Sequence, residues 1–214
     1  MRLYNYLKNT LGLTKSELTI FLEKNNITVN DKIIKPSSII NSNDIIKVNG
    51  KVLEPVKFLY YLYYKPRGIL STVSSKENSY INHINVKNKI SPAGKLDKES
   101  EGLMILSNDG AFLNQFTGDS FTHEKEYIVK VKYKITDDFF IGMGQSYFMD
   151  GRNTLPAKVF KLDDYTFSIV LFEGLYHQIR RLVHINHNSV LELKRIRIGD
   201  YKLNDMKPGD LIEI

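Results

Sequence analysis

The 214-residue chain contains no cysteine, which excludes disulfides and thiolate metal sites and is the habit of a reducing compartment. It has no apolar stretch near 18 residues, and its first residues, MRLYNYLKNTLG, lack the hydrophobic core of a signal peptide. No Gly-rich phosphate loop, internal repeat or low-complexity tail is present. These absences predict a cytoplasmic protein that does not enter a membrane and needs no nucleotide cofactor.

What is present is enough for folded cores: 42% of the residues are hydrophobic. The net charge is +6 and unevenly spread, because residues 1–57 hold 9 Lys/Arg against 5 Asp/Glu, a net +4. A small basic module ahead of a larger body suits nucleic acid as a partner, and a lysine-rich solvated surface explains the same charge.

The pattern divides the chain at 1–54, 55–57 and 58–214. In the first part, Leu3, Tyr6, Leu7 and Leu11 recur at helical spacing before Gly12. A second helix follows the capping candidate Thr14, with Leu18, Phe21 and Leu22 on one face. ITVNDKII reads as a hairpin around Asn30-Asp31, and a second turn falls at Asn49-Gly50. LEPVK around Pro55 is the expected linker. Beyond it, FLYYLYYK, KEYIVKVKYKI and the two arms of AKVFKLDDYTFSIVLFEG read as strands, while SNDGAFLNQFT and LYHQIRRLVHIN read as helices. Strands interleaved with helices in this way predict an α+β body with a mixed, mainly antiparallel sheet rather than a βαβ repeat.

Two stretches carry candidate chemistry. In SPAGKLDKESEGLMILSNDG, Asp97 stands between the bend at Gly94 and an apolar run, where it is either a turn residue or a carboxylate poised over a core. In FEGLYHQIRRLVHI, Arg180 and Arg181 point about 100° apart on a helix, so one can face inward. An inward guanidinium needs a carboxylate, which Asp97 can supply. Tyr127 heads a strand with Lys125 on the same face. His184 and His187 have ligand-like spacing but no third ligand nearby, so no metal is expected.

Six ordered blocks, KPRGILST (65–72), AGKLDKESEGLMILSNDG (93–110), EKEYIV (124–129), GRNTLPAKV (151–159), FEGLYHQIRRL (172–182) and RIRIGDYKL (195–203), closely resemble the RsuA-type ribosomal pseudouridine synthases. Residues 1–50 are similar to the small RNA-binding domain named after ribosomal protein S4. The resemblance implies an enzyme that detaches a uracil from its ribose within rRNA, turns it and rejoins it through C5, without metal or cofactor. It implies that Asp97 is the catalyst, that Arg180 keeps it ionised, and that the Tyr127 ring stacks on the extruded uracil. Leu96, Ile196 and Ile198 are then expected around the uracil. Arg2, Lys65, Arg67, Lys95, His177, Gln178 and Arg181 are expected on RNA. Lys95 departs from the family's usual Gly-Arg-Leu-Asp, keeping the charge but losing the planar group.

YHQIRR and TLPAKV look more like the small-subunit enzyme, which points to one uridine of 16S rRNA. A small-subunit assembly intermediate is the expected partner, and a monomer the expected state. The alternatives are a 23S rRNA target, a non-catalytic rRNA-binding assembly factor, and a base-excising hydrolase, which would want a second carboxylate.

Overall fold

A computed structural model describes residues 1–54, 57–73, 78–86, 90–117 and 123–214. The chain divides into two compact units, Met1–Phe58 and Leu59–Ile214. Of the expected linker, residues 55 and 56 lie outside the described residues.

In the first unit, α1 (Leu3–Leu11) ends at Gly12, and α2 (Lys15–Lys24) begins with a capping box between Thr14 and Glu17. Strands β1 (Ile27–Val29), β2 (Ile46–Val48) and β3 (Lys51–Val52) form a small antiparallel sheet. Leu3, Leu7, Leu18, Ile27, Val29, Ile40 and Ile46 make its core. The turn at Asn49-Gly50 joins β2 to β3 as expected. The expected hairpin across Asn30-Asp31 is instead reduced to one bridge, Val29 to Lys32. Asn30 explains this: its side chain accepts from the Ile45 amide at 3.0 Å and donates to Asp44 at 2.9 Å, steering β1 onto β2.

The second unit is built on a mixed sheet. Its strands are β4 (Tyr60–Lys65), β5 (Ser91–Ala93), β6 (Glu101–Ser107) and β7 (Lys125–Val131), with α3 (Gly110–Asn114) between β6 and β7. After α4 (Asp137–Met143) and the two-residue pair β8 (Phe148–Met149) and β9 (Arg152–Asn153) come β10 (Lys158–Lys161) and β11 (Thr166–Leu171). The chain closes with α5 (Gln178–Ile185), β12 (Val190–Ile198), β13 (Tyr201–Lys202) and β14 (Leu211–Glu213). The strand order is β10-β11-β7-β12-β6-β4-β14, with β13 beside β12 and β5 beside β6. Among the described residues β6 and β12 are the one parallel pair; the rest of the sheet is antiparallel.

Strand alternation sends side chains to two cores. Tyr63, Met104, Leu106, Val129, Phe167 and Ile169 pack on one face with α5 residues Ile179, Leu182 and Val183. Tyr64, Leu103, Ile105 and Ile198 pack on the other, under α3 residue Leu113. The pairings Lys65 to Gly102, Gly102 to Arg195, Arg195 to Tyr127 and Tyr127 to Ile169 draw a single row across five adjacent strands. The segment carrying Asp97 enters β6 beside that row.

Candidate active site

The loop between β5 and β6 is held from all sides. Gly94 takes φ +77, a left-handed bend that favours glycine, and its carbonyl accepts from Arg195 Nη2 at 3.2 Å. The Ser71 hydroxyl donates to the Leu96 carbonyl at 2.8 Å and accepts from the Leu96 amide at 3.1 Å. The Gly68 amide donates to the Lys98 carbonyl at 2.8 Å. Leu96 is buried in the core, so Asp97 is presented by an anchored segment rather than a free one.

Helix α5 meets the carboxylate. Arg180 Nε lies 3.3 Å from Asp97 Oδ2, and Arg180 Nη2 donates to Ser100 Oγ at 3.1 Å and to the Glu99 carbonyl at 3.2 Å. His177 Nε2 lies 3.4 Å from Asp97 Oδ1. The Asp97 side chain keeps 28% of its exposure, so its oxygens are held and yet reachable. Arg181 turns outward to Asp150, at 3.0 Å from each carboxylate oxygen. The two arginines divide as their helical spacing predicts.

A cavity of about 320 Å³ opens at this point. Asp97, Lys95, His177 and Arg180 line it, together with Tyr127, Lys125, Arg195, Glu173 and the apolar side chains Leu96, Leu171, Leu175, Ile179 and Leu193. It combines one reachable carboxylate, several cations and an apolar wall. Such a site can draw in a polyanion's planar group and hold it against a fixed oxygen.

Three expectations change. Lys65 does not face a ligand: it is 0% exposed, and its Nζ donates to the carbonyls of Pro66 at 2.9 Å and Ile69 at 2.7 Å, and reaches Lys98 O at 3.5 Å. Burial pushes its ammonium down to about 8, against the opposing pull of Asp97 and Glu99. It ties the KPRG segment to the Asp97 loop. Gln178 lines the cavity, but its amide is committed, accepting from the Leu175 amide at 3.1 Å and donating to Glu173 Oε1 at 2.7 Å. Ile196 and Ile198 lie in the second core and not on the cavity wall. Strand alternation is the reason: Leu193 and Arg195 face the cavity, so 196 and 198 turn away.

The remaining expected residues are placed as follows. Arg67 is exposed and pairs with Glu99 at 3.3 Å. Arg2 is exposed at the start of α1, in the first unit. Sequence reasoning missed Arg195, Glu173 and Arg152. Arg195 is 1% exposed, with its guanidinium on the carbonyls of Leu103 and Gly94, and counting alternation from Leu193 would have found it. Glu173 is buried, accepts from the Leu155 amide at 3.0 Å, and lies 3.4 Å from Arg152 Nη2. Burial and Arg195 together push the Lys125 ammonium down.

The family model for RNA pseudouridylate synthase matches residues 59–187. A dual-specificity RNA pseudouridine synthase, RluF of Salmonella typhi, is 34% identical over 98% of this chain and 74% of its own length. A ribosomal small subunit pseudouridine synthase A of Haemophilus influenzae is 28% identical over 96% of this chain and 91% of its own. A crystal structure of a pseudouridylate synthase superposes with a TM-score of 0.71 at 26% identity, covering 100% of this chain and 96% of that one.

Proposed function

The chain belongs to the RNA pseudouridylate synthase family, and from that premise we propose that it converts one uridine of 16S ribosomal RNA to pseudouridine, with Asp97 as catalyst. The observation that carries this reading is the meeting of Asp97, Arg180 and Tyr127 at one cavity, from a loop, a helix and a strand far apart in sequence.

In this account the target uridine leaves its stack and enters the cavity. Asp97 acts as the nucleophile, on the base or on the sugar. The N1–C1′ bond breaks, the uracil turns, and the C5–C1′ bond forms; the bond to Asp97 breaks again, freeing the carboxylate, while C5 loses its proton and N1 gains one, so the product is an isomer. Arg180 neutralises and orients the carboxylate. The Tyr127 ring stacks on the uracil, with its hydroxyl near the C5 proton. Leu96 supplies apolar wall, alongside Leu171, Leu175 and Leu193 in place of Ile196 and Ile198.

Lys95, Arg67, Arg181 and His177 are the side chains proposed to meet RNA. The pairs Arg67–Glu99 and Arg181–Asp150 are solvent-exposed, so exchanging a carboxylate for a phosphate costs little. Residues 1–54 act as an S4-like RNA-binding domain, with Arg2 among its contacts. The protein works as a monomer in the cytoplasm, on a small-subunit assembly intermediate. Tyr176-His177-Gln178 supports the 16S target. The higher identity to the RluF relative, which is named for dual specificity, favours a second reading in which more than one RNA site is modified.

The test is to map pseudouridine in rRNA from cells with and without the gene, by carbodiimide modification and primer-extension stops. One stop lost from 16S rRNA supports the proposal. A loss from 23S rRNA replaces the target, and no loss anywhere removes the catalytic reading.

A further inference from the structure

Tyr176 lies just outside the cavity and has no place in the chemistry above. Its side chain is among the most exposed of the large hydrophobic ones, at 75%. Its ring stacks on the His177 imidazole at 4.0 Å between centroids and 13° between planes. His177 in turn reaches Asp97 at 3.4 Å. The order running outward from the carboxylate is therefore imidazole, then phenol ring, then solvent.

The pair is held in place. His177 adopts φ +50, an uncommon left-handed conformation for a residue with a side chain. The segment around it is fixed by Gln178, which bonds both the Leu175 amide and Glu173, and by Arg181 Nη1, which donates to the Tyr176 carbonyl at 3.3 Å. A flat aromatic face, backed by the His177 ring, is thus presented to solvent beside the cavity from an anchored backbone segment.

We propose that Tyr176 is a stacking platform for the nucleobase adjacent to the uridine that enters the cavity. The inference rests on the pseudouridine synthase reading. Extruding one base leaves its neighbour without a stacking partner, and an aromatic ring replaces that partner without demanding a particular base. The stack directly beside Asp97 puts the platform where the neighbour must pass. His177 backs the platform and spans the distance between it and the carboxylate.

The experiment uses the full chain and the rRNA stem-loop in which it installs pseudouridine, with 2-aminopurine placed next to the target uridine. Wild type, Tyr176→Phe and Tyr176→Ala are compared for kcat, KM and probe fluorescence in the complex. The expected result for Tyr176→Ala is a rise in KM of about 5- to 100-fold with kcat held within about twofold. Its complex should also be brighter than the wild-type one, and Tyr176→Phe should match wild type. Equal KM and equal fluorescence for Tyr176→Ala overturn the inference while leaving the catalytic reading intact. A fall in kcat at unchanged KM and fluorescence also overturns it, since Tyr176 then only supports His177. Absence of turnover by the wild type on any rRNA fragment removes the catalytic reading and the inference together.

Discussion

Gly102 and Arg195 pair so closely that a Cβ on Gly102 would lie 2.2 Å from the Arg195 carbonyl oxygen. This contact joins the one parallel strand pair among the described residues, β6 with β12. It sets the height at which the Arg195 guanidinium passes under the Asp97 loop to reach Gly94. Gly102 also takes φ +114. Gly102→Ala therefore meets both a backbone clash and a disfavoured conformation, and should lower stability by about 3 kcal/mol or more in urea unfolding. A change below about 1 kcal/mol would contradict the packing described.

Arg180 touches three groups of the Asp97 loop with one planar fork. Lysine keeps the charge but cannot hold all three partners at once. Arg180→Lys should reduce kcat by about 10- to 1,000-fold, as loss of a preorganised electrostatic group does. RNA affinity, measured by filter binding, should stay within about threefold. A loss of affinity with kcat preserved would make Arg180 an RNA contact instead.

Lys65 predicts a pH dependence. Its ammonium titrates near 8 in the folded protein, below the value of about 10.4 for an unfolded lysine. Between those values the unfolded chain holds a proton that the folded chain has released, so this residue's contribution to stability rises with pH. The gain is about 3 kcal/mol across the window. Unfolding free energy measured from pH 7.5 to 9.5 should rise more steeply in wild type than in Lys65→Met. Parallel slopes would show that Lys65 titrates normally.

Lys95 is exposed and lines the cavity where the RNA backbone would approach. Restoring the family's planar group by Lys95→Arg should raise kcat/KM several-fold, through better stacking as the base leaves its helix. No gain, or a loss, would show that this cavity is shaped around the slimmer ammonium.

Much of this was legible in the sequence because the signals were local. Thr14 and Gly12 bound their helices through capping chemistry, and Arg180 and Arg181 separate by simple helical rotation. Helix α4 went unread although Thr136 caps it and Asp137 and Asp138 fill its first turn, because seven residues are too few to display a period. Lys65 was misread for a different reason. A lysine beside Pro66 looks like a surface charge, and only the folded chain gathers the carbonyls of Pro66, Ile69 and Lys98 around it. Ile196 and Ile198 are expected at the uracil from the resemblance, whereas the face of β12 that meets the cavity carries Leu193 and Arg195.

The most direct measurement is to incubate rRNA with purified wild type and with Asp97→Asn and to quantify pseudouridine by mass spectrometry, alongside RNA affinity for both. The substitution keeps the shape of the side chain and removes the carboxylate that Arg180 holds. The account predicts that Asp97→Asn forms no detectable pseudouridine while binding RNA within a few-fold of wild type. Pseudouridine formed at the wild-type rate by Asp97→Asn would contradict it.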